Sequence, residues 1–353
     1  MRTVVVSDLH LGARSGRDLL RQAEPRRRLS QALEGVDQLV LLGDVLELRD
    51  GRAATVLERA GPALAALGAS AANARIVLVP GNHDHRLSDG LAGRAGWRRR
   101  RPQLDVQQVS RPAAGTLAAE VARRLGAADV VCAYPGLWIT ENVYATHGHY
   151  LDCHTTVATV EVMAAAALGR LCGGMRPGPL SPTFYERALA PIYAFNDARA
   201  RTIRARLPVT TASAGGAAPR PHHRADTAPA RPPGSGSSAK RTLLAAANRL
   251  AAGRFHLELS GPELRERNAV AMSEVVRRLG IDARYVVFGH THQPGPRDGE
   301  DWSLANGGSL VNCGSWFASS ASRVDGLAAA RRAGTCVIVE GGGSPRIERL
   351  LDG

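Results

Sequence analysis

The chain has 353 residues, 44% apolar and only 4% aromatic, with a formal net charge of +13 from 45 basic and 32 acidic residues, so it can bury the core of one domain plus an elaboration. Its five cysteines, Cys132, Cys153, Cys172, Cys313 and Cys336, include no C-x-x-C pair and leave one over, which argues against a disulfide framework or a structural zinc site. No apolar run reaches the roughly 20 residues that span a bilayer, and the positive charge favours phosphates, nucleic acid or an anionic membrane surface, although codon-biased arginine enrichment accounts for the same excess.

Residues 1–7 start directly on a strand-like run, without the apolar stretch and cleavage site of a signal peptide. The expected location is cytoplasmic, with peripheral membrane association as an alternative. Short runs rich in β-branched and other apolar residues predict strands at 3–6, 38–42, 75–79, 143–146, 285–288, 309–312 and 335–340. Helix-compatible stretches at 18–33, 53–72 and 262–279 lie among them, and this alternation predicts an α/β core. The block 149–260 reads as a helical cap inserted into that core, which then comprises 1–148 and 261–353. Within the cap, 155–171 and 182–207 are helix-compatible. The segment 208–240 is dense in Pro, Gly, Ser and Ala and is expected to be a disordered loop.

Five strands run straight into polar clusters, which places the clusters at strand carboxyl ends, where open α/β sheets build their sites. Asp8 and His10 in Ser7-Asp8-Leu9-His10-Leu11-Gly12 are two apart, so they point the same way and can share one divalent cation. In Leu42-Gly43-Asp44-Val45-Leu46-Glu47 the glycine permits a tight turn. Asp44 can bridge two metals with its two oxygens, or simply cap a turn. Pro80-Gly81-Asn82-His83-Asp84-His85 offers a neutral amide oxygen at Asn82, beside a histidine free to face a substrate. Thr146-His147-Gly148-His149 and Gly289-His290-Thr291-His292 each set two imidazoles two apart, a pattern suited to borderline transition metals. Each cluster alone has an ordinary structural explanation, whereas five in this order at strand ends do not arise by chance.

The ordered set D-x-H, G-D, G-N-H-D, H-G-H and G-H-T-H resembles the signature of the calcineurin-like metallophosphoesterases, and Asn312-Cys313-Gly314-Ser315 resembles the N-x-G-S segment that often follows. The resemblance implies a four-layer α/β/β/α sandwich of two mixed sheets. It implies one metal on Asp8, His10 and His292, a second on Asn82, His147 and His290, and Asp44 bridging both. It also implies that His83 faces the scissile phosphate, oriented by a carboxylate whose position is taken here by Glu47. His149 is expected to lie just outside the ligand set, at the first metal, and with Asn82 is a candidate substrate contact.

The chemistry implied is in-line hydrolysis of a phosphoester or diphosphate by a hydroxide between two cations. The His-rich mixed N/O ligands point to manganese, with iron, zinc or cobalt as alternatives. The opening S-D-L-H-L-G, the run from Gly43 to Asp50 and a long insertion before Gly289 are similar to the UDP-2,3-diacylglucosamine hydrolases. Where those hydrolases carry G-N-R-D and H-G-D, this chain has Gly81-Asn82-His83-Asp84 and His147-Gly148-His149. A small or lipid-linked phosphodiester or diphosphate is the expected substrate, and a nuclease acting on DNA or RNA is the alternative. The cap arginines Arg170, Arg176, Arg187, Arg199, Arg201, Arg204 and Arg206 could clamp an anionic group or form a solvated face. Arg98 to Arg101, beside Trp97, could touch an anionic surface.

Overall fold

The apolar runs fold as strands because their valines, isoleucines and leucines fill both faces of a largely parallel sheet. The computed structural model describes residues 1–89, 91, 104–155, 178–205, 261–318 and 333–351. Three parallel strands, β1 (Arg2–Val6), β2 (Gln38–Leu42) and β3 (Arg75–Val79), are almost wholly buried. Then come the short β4 (Gln107–Ser110) and the long β5 (Val130–Thr140). A second parallel set is β6 (Val143–Thr146), β7 (Tyr285–Phe288) and β8 (Ser309–Asn312). Finally β9 (Thr335–Glu340) and β10 (Arg346–Arg349) add antiparallel pairings beside β1.

The hydrogen-bonded path is one mixed sheet of ten strands, in the order β10-β9-β1-β2-β3-β5-β6-β7-β8, with β4 on β5. It is continuous because β5 serves both halves. Its first residues, Val130 to Cys132, pair with β3, and its last, Gly136 to Thr140, pair with β6. The expected pair of sheets is thus joined through one strand. The sequence reading missed β5 because Pro135 and Gly136 interrupt its apolar run, as such residues usually do at the end of a strand. Here they sit where the strand changes partners.

Along β1 the side chains alternate, as a period of two requires. Val4 and Val6 join a core with helices α1 (Ala23–Ala32), α2 (Ala53–Ser70) and α3 (Leu117–Leu125), through residues such as Leu29, Leu64 and Val121. Val5 enters a second core built almost wholly of strand residues from both halves of the sheet, including Val40, Val77, Val287 and Val311. A third core packs Val286, Phe288 and Leu310 against helices α4 (Pro182–Ala205) and α5 (Gly261–Leu279).

The parallel strands direct their carboxyl ends to one place: β1, β2 and β3 from one half, β6, β7 and β8 from the other. Helix α4 coincides with part of the expected cap and lies against the Leu48–Asp50 turn and the His149–Cys153 turn beside that place. The expected helix at 155–171 (from 156 on), the loop at 208–240 and the basic run 98–101 lie outside the described residues, as do Arg170, Arg176 and Arg206.

Candidate metal centre

Sharp reversals of the chain after β1, β2 and β7 swing the side chains of their loops into a common space. Asp8, His10, Asp44, His290 and His292 have φ of 56°, 46°, 50°, 65° and 57°, the left-handed region that costs an ordinary L residue roughly 1–2 kcal/mol. They are the only non-glycine residues with positive φ among the described residues. Such strain persists only where the surroundings hold it, and it clusters at functional sites.

The holding contacts are visible. Asp8 N–H donates to Gly43 O at 3.1 Å and His10 N–H to Asp44 O at 2.8 Å, tying the first loop to the second. Ser7 Oγ lies 2.6 Å from both Asp8 Oδ2 and Leu42 O, which share its one proton. Trp316 N–H and Ser315 Oγ donate to Asp8 O from the loop after β8. Asn312 donates to Gly289 O and accepts from Gly314 N–H, so the N-x-G-S segment fixes the histidine loop after β7. Asp84, fully buried, accepts from Val45 and Leu46 N–H with one oxygen and from Gly81 N–H with the other, locking the loops after β2 and β3 together. Burial, aided by the nearby Asp44 charge, pushes its carboxyl up to about 6.

Eight donor residues converge. Asp8, His10 and His292 bring ligand atoms within 4.8 Å of one another, as do Asp44, His147 and His290, and also His10, Asp44 and His83. Asp44 is central: Oδ2 lies 3.5 Å from His147 Nε2, 3.6 Å from His83 Nε2 and 3.9 Å from His10 Nε2. Asn82 Oδ1 lies 3.1 Å from His147 Nε2, on the same side as His290. Asp8 Oδ1 is enclosed and has no hydrogen-bond partner among the described residues, with His292 Nε2 3.1 Å away.

Three of the imidazoles are held by one nitrogen, which frees the other. His147 Nδ1 donates to Leu42 O at 3.0 Å, so Nε2 faces Asp44 and Asn82. His290 Nε2 is bound to Asp152 Oδ1 at 2.9 Å, leaving Nδ1 for the cluster. His10 Nδ1 meets Glu47 Oε2 at 3.0 Å, leaving Nε2. A carboxylate or carbonyl behind a histidine in this way fixes the ring tautomer and raises its basicity toward a metal.

Cations suit this cluster electrostatically. Burial pushes the Asp8 carboxyl up, but His292 and His147 outweigh it and hold it down at about 2. Burial pulls the His147 imidazole down, yet Asp44 and Asp8 raise it to about 10. The carboxylates therefore exert a field strong enough to hold protons on a buried imidazole, and a divalent cation could occupy the same field. The donors are imidazole, carboxylate and amide oxygen without thiolate, a set that suits manganese, iron, zinc or cobalt.

Two assignments shift with the geometry. Glu47 was expected to orient His83, and its Oε2 does take His83 Nδ1 at 2.7 Å, but the same oxygen also takes His10 Nδ1. Its other oxygen meets Arg49 Nε at 3.3 Å. His149 was expected at the Asp8–His10 side as a substrate contact. It lies instead beside His147 and His290, with ring centroids 5.5 and 6.5 Å away. It is 2% exposed and both ring nitrogens are enclosed without a hydrogen-bond partner among the described residues, so this packing offers no approach for a substrate. Burial and the His147 charge hold its imidazole well below the usual histidine range.

Asp152 and Glu186 were not anticipated. Neither stands in a motif; Asp152 is reached only because a short turn follows His147, and Glu186 comes from α4. Glu186 is buried and accepts from Tyr134 and from Tyr150 at 2.7 Å, and it meets His85 Nε2 at 2.9 Å.

Residues 1–164 match the family of calcineurin-like phosphoesterases. They form a calcineurin-like phosphoesterase domain. The chain is a hydrolase acting on phosphoesters, and the matched segment contains Asp8, His10, Asp44, Asn82 and His147, while His290 and His292 come to the phosphoesterase centre from beyond it. No curated protein matches the chain. Among solved structures it is similar to a dimetal phosphatase from Danio rerio, at 12% identity over 90% of this chain and 88% of that one, with a TM-score of 0.33.

Proposed function

We propose that the centre holds two divalent transition-metal ions and hydrolyses a phosphodiester or diphosphate. Asp8, His10 and His292 would hold one, Asn82, His147 and His290 the other, and Asp44 both. The observation that carries this reading is the coincidence of strain and ligand type: all five left-handed non-glycine residues of the described chain are in that set. The enclosed Asp8 Oδ1, with His292 Nε2 at 3.1 Å and His10 Nε2 at 3.8 Å, supports a cation shared by these three side chains. Manganese is the metal proposed.

When bound, two such ions supply Lewis acidity toward a phosphoryl group and acidify water near neutral pH. The chain's own residues do the rest. His83 is fixed through Nδ1 by Glu47, and its Nε2 points to the Asp44 side, where it can hydrogen-bond a non-bridging or leaving oxygen of a phosphoryl group. The backbone contacts of Asp84 and Asn312 keep the loops from relaxing, so the donors are preorganised rather than recruited. No covalent nucleophile is needed.

A four-layer packing is part of the proposal, supported by two helix-containing cores on either side of a core of strand residues. So is a helical cap, supported by the seat of α4 beside the centre. A small or lipid-linked substrate, as for the UDP-2,3-diacylglucosamine hydrolases, follows from a covered site more readily than a nucleic-acid backbone does. No helix among the described residues is long and apolar enough to cross a membrane.

The test is hydrolysis of bis-p-nitrophenyl phosphate with manganese and with a chelator, for the wild type and Asp44→Ala. Metal-dependent turnover that disappears in Asp44→Ala is expected. A wild type without metal-dependent turnover would overturn the proposal, and preferential cleavage of single-stranded DNA over nucleotide-diphosphate lipids would replace the substrate with a nucleic acid.

A further inference from the structure

Helix α4 meets the core through one carboxylate. Glu186 is 2% exposed, and its two oxygens face partners from three different elements. Oε1 accepts from Tyr134 Oη of β5 and, at 2.7 Å, from Tyr150 Oη of the turn after His147, while Oε2 meets His85 Nε2 of the loop after β3 at 2.9 Å. Ring stacking repeats two of these links. Tyr185 lies against Tyr150 with centroids 4.7 Å and planes 7° apart, and Tyr193 against His85 at 3.9 Å and 17°. His154, just past the same turn, meets Tyr185 Oη at 2.7 Å.

A buried carboxylate is a costly way to seat a helix, since apolar side chains of similar volume often do so as well or better. What it adds is direction, because its lone pairs fix where three partner groups stand. Two of the segments fixed in this way carry donors of one proposed metal. Asn82 precedes His85 by three residues in one short loop. Tyr150 follows His147 by three residues and precedes Asp152 by two, and Asp152 Oδ1 holds His290 Nε2 at 2.9 Å. The other donor set is held from elsewhere: Asp8 by Ser315 and Trp316 of the loop after β8, and His10 by Glu47.

We infer that Glu186 is a positioning residue for the metal on Asn82, His147 and His290, and that docking of α4 and binding of that metal are coupled. The inference rests on the dinuclear reading and deepens it. Docked, α4 ties the loop after β3 to the turn after His147, and Asn82 Oδ1 then faces His147 Nε2 across 3.1 Å. Without that tie both segments lose a shared anchor, whereas Asp8 and His10 keep theirs. Linkage makes the effect reciprocal: the factor by which docking of α4 strengthens metal binding is the factor by which the metal strengthens docking of α4.

The test is manganese binding to the full-length chain by calorimetry, with amide hydrogen exchange of α4 measured with and without the metal. The wild type should bind two ions, and binding should slow exchange along α4. Glu186→Ala should weaken one ion roughly 2- to 30-fold, the range for coupling through such contacts, and leave the other within about twofold. Metal should then no longer slow exchange in α4. Glu186→Gln, which keeps an acceptor for the tyrosines, should lie between this variant and the wild type. Tyr150→Phe, which keeps the stacked ring and removes one hydroxyl, should weaken the same ion by less and carries the test should Glu186→Ala fail to fold. Anomalous peaks from variant crystals at limiting manganese should fade beside His147 and persist beside His292. Unchanged affinity for both ions in all three variants, equal loss of both, or exchange in wild-type α4 that ignores the metal would overturn the coupling. A wild type that binds fewer than two ions would instead remove the dinuclear reading beneath it.

Discussion

Replacing Glu47 by glutamine keeps the shape of the side chain and removes its charge, which separates two roles. In the wild type one oxygen, Oε2, accepts from His10 Nδ1 at 3.0 Å and from His83 Nδ1 at 2.7 Å. Each is a buried, charge-assisted contact of the kind worth about 1.5–3 kcal/mol. Glutamine's single carbonyl oxygen is an uncharged, weaker acceptor, and its N–H₂ group must face either the two histidines or Arg49, so the histidine contacts lose their charge assistance or are lost outright. Loss of one such contact at His83, at about 1.4 kcal/mol per tenfold, predicts a fall in kcat of roughly 10- to 150-fold. Loss at His10 predicts weaker metal binding, about 10- to 100-fold, as is usual when the partner of a ligating histidine is removed. Both follow from one assay series: bis-p-nitrophenyl phosphate turnover against manganese concentration, with bound metal measured in parallel. Glu47→Asp, one methylene shorter, should fail to span both histidines and lie between the two. A Glu47→Gln enzyme with unchanged metal affinity and kcat within about threefold of wild type would refute this account of the carboxylate.

Asp152→Asn removes the carboxylate behind His290, so one of the two metals should dissociate about 10- to 100-fold more readily, seen as a split binding isotherm by calorimetry. At Gly81 an added methyl carbon would lie 2.3 Å from Asp44 Oδ1 and 2.9 Å from His147 Cδ2. Gly81→Ala should therefore displace the central carboxylate and lower kcat by about 10²-fold or more while the circular dichroism spectrum stays that of the wild type. Burial pushes the Glu186 carboxyl up, but His85, His149 and Tyr134 outweigh it and hold it at about 2, below its usual 4.5. Stability from this group is thus fully present above pH 4.5 and is lost as pH falls toward 2, by about 1–3 kcal/mol. Glu186→Gln should flatten the acid limb of a stability-against-pH curve in that window, and an unaltered limb would contradict the assignment.

The strands were legible where sequence and burial tell the same story. Runs such as Val4-Val5-Val6 and Leu39-Val40-Leu41-Leu42 are apolar throughout because both faces are covered, and each ends at the polar residues it delivers to the centre. The motif residues could be read because their spacing is local. What escaped was non-local. β5 hides behind Pro135 and Gly136, and the edge strands β4 and β10 carry too little apolar pattern to stand out, since one side of each is exposed. Asp152 and Glu186 gain their roles only when the turn after His147 and helix α4 fold against the core, and no spacing rule connects them to His290 or His85. His149 shows the reverse: its place in an H-x-H pattern suggested a contact at the first metal, whereas the left-handed Gly148 turns the chain into a short helical turn that buries the ring beside His147.

The shared role of Asp44 is tested most directly by anomalous diffraction from manganese-soaked crystals of the wild type. Two peaks are predicted about 3.5–4 Å apart, one against Asp8, His10 and His292 and the other against Asn82, His147 and His290, with Asp44 touching both. A single peak, or two that Asp44 does not bridge, would contradict the dinuclear centre.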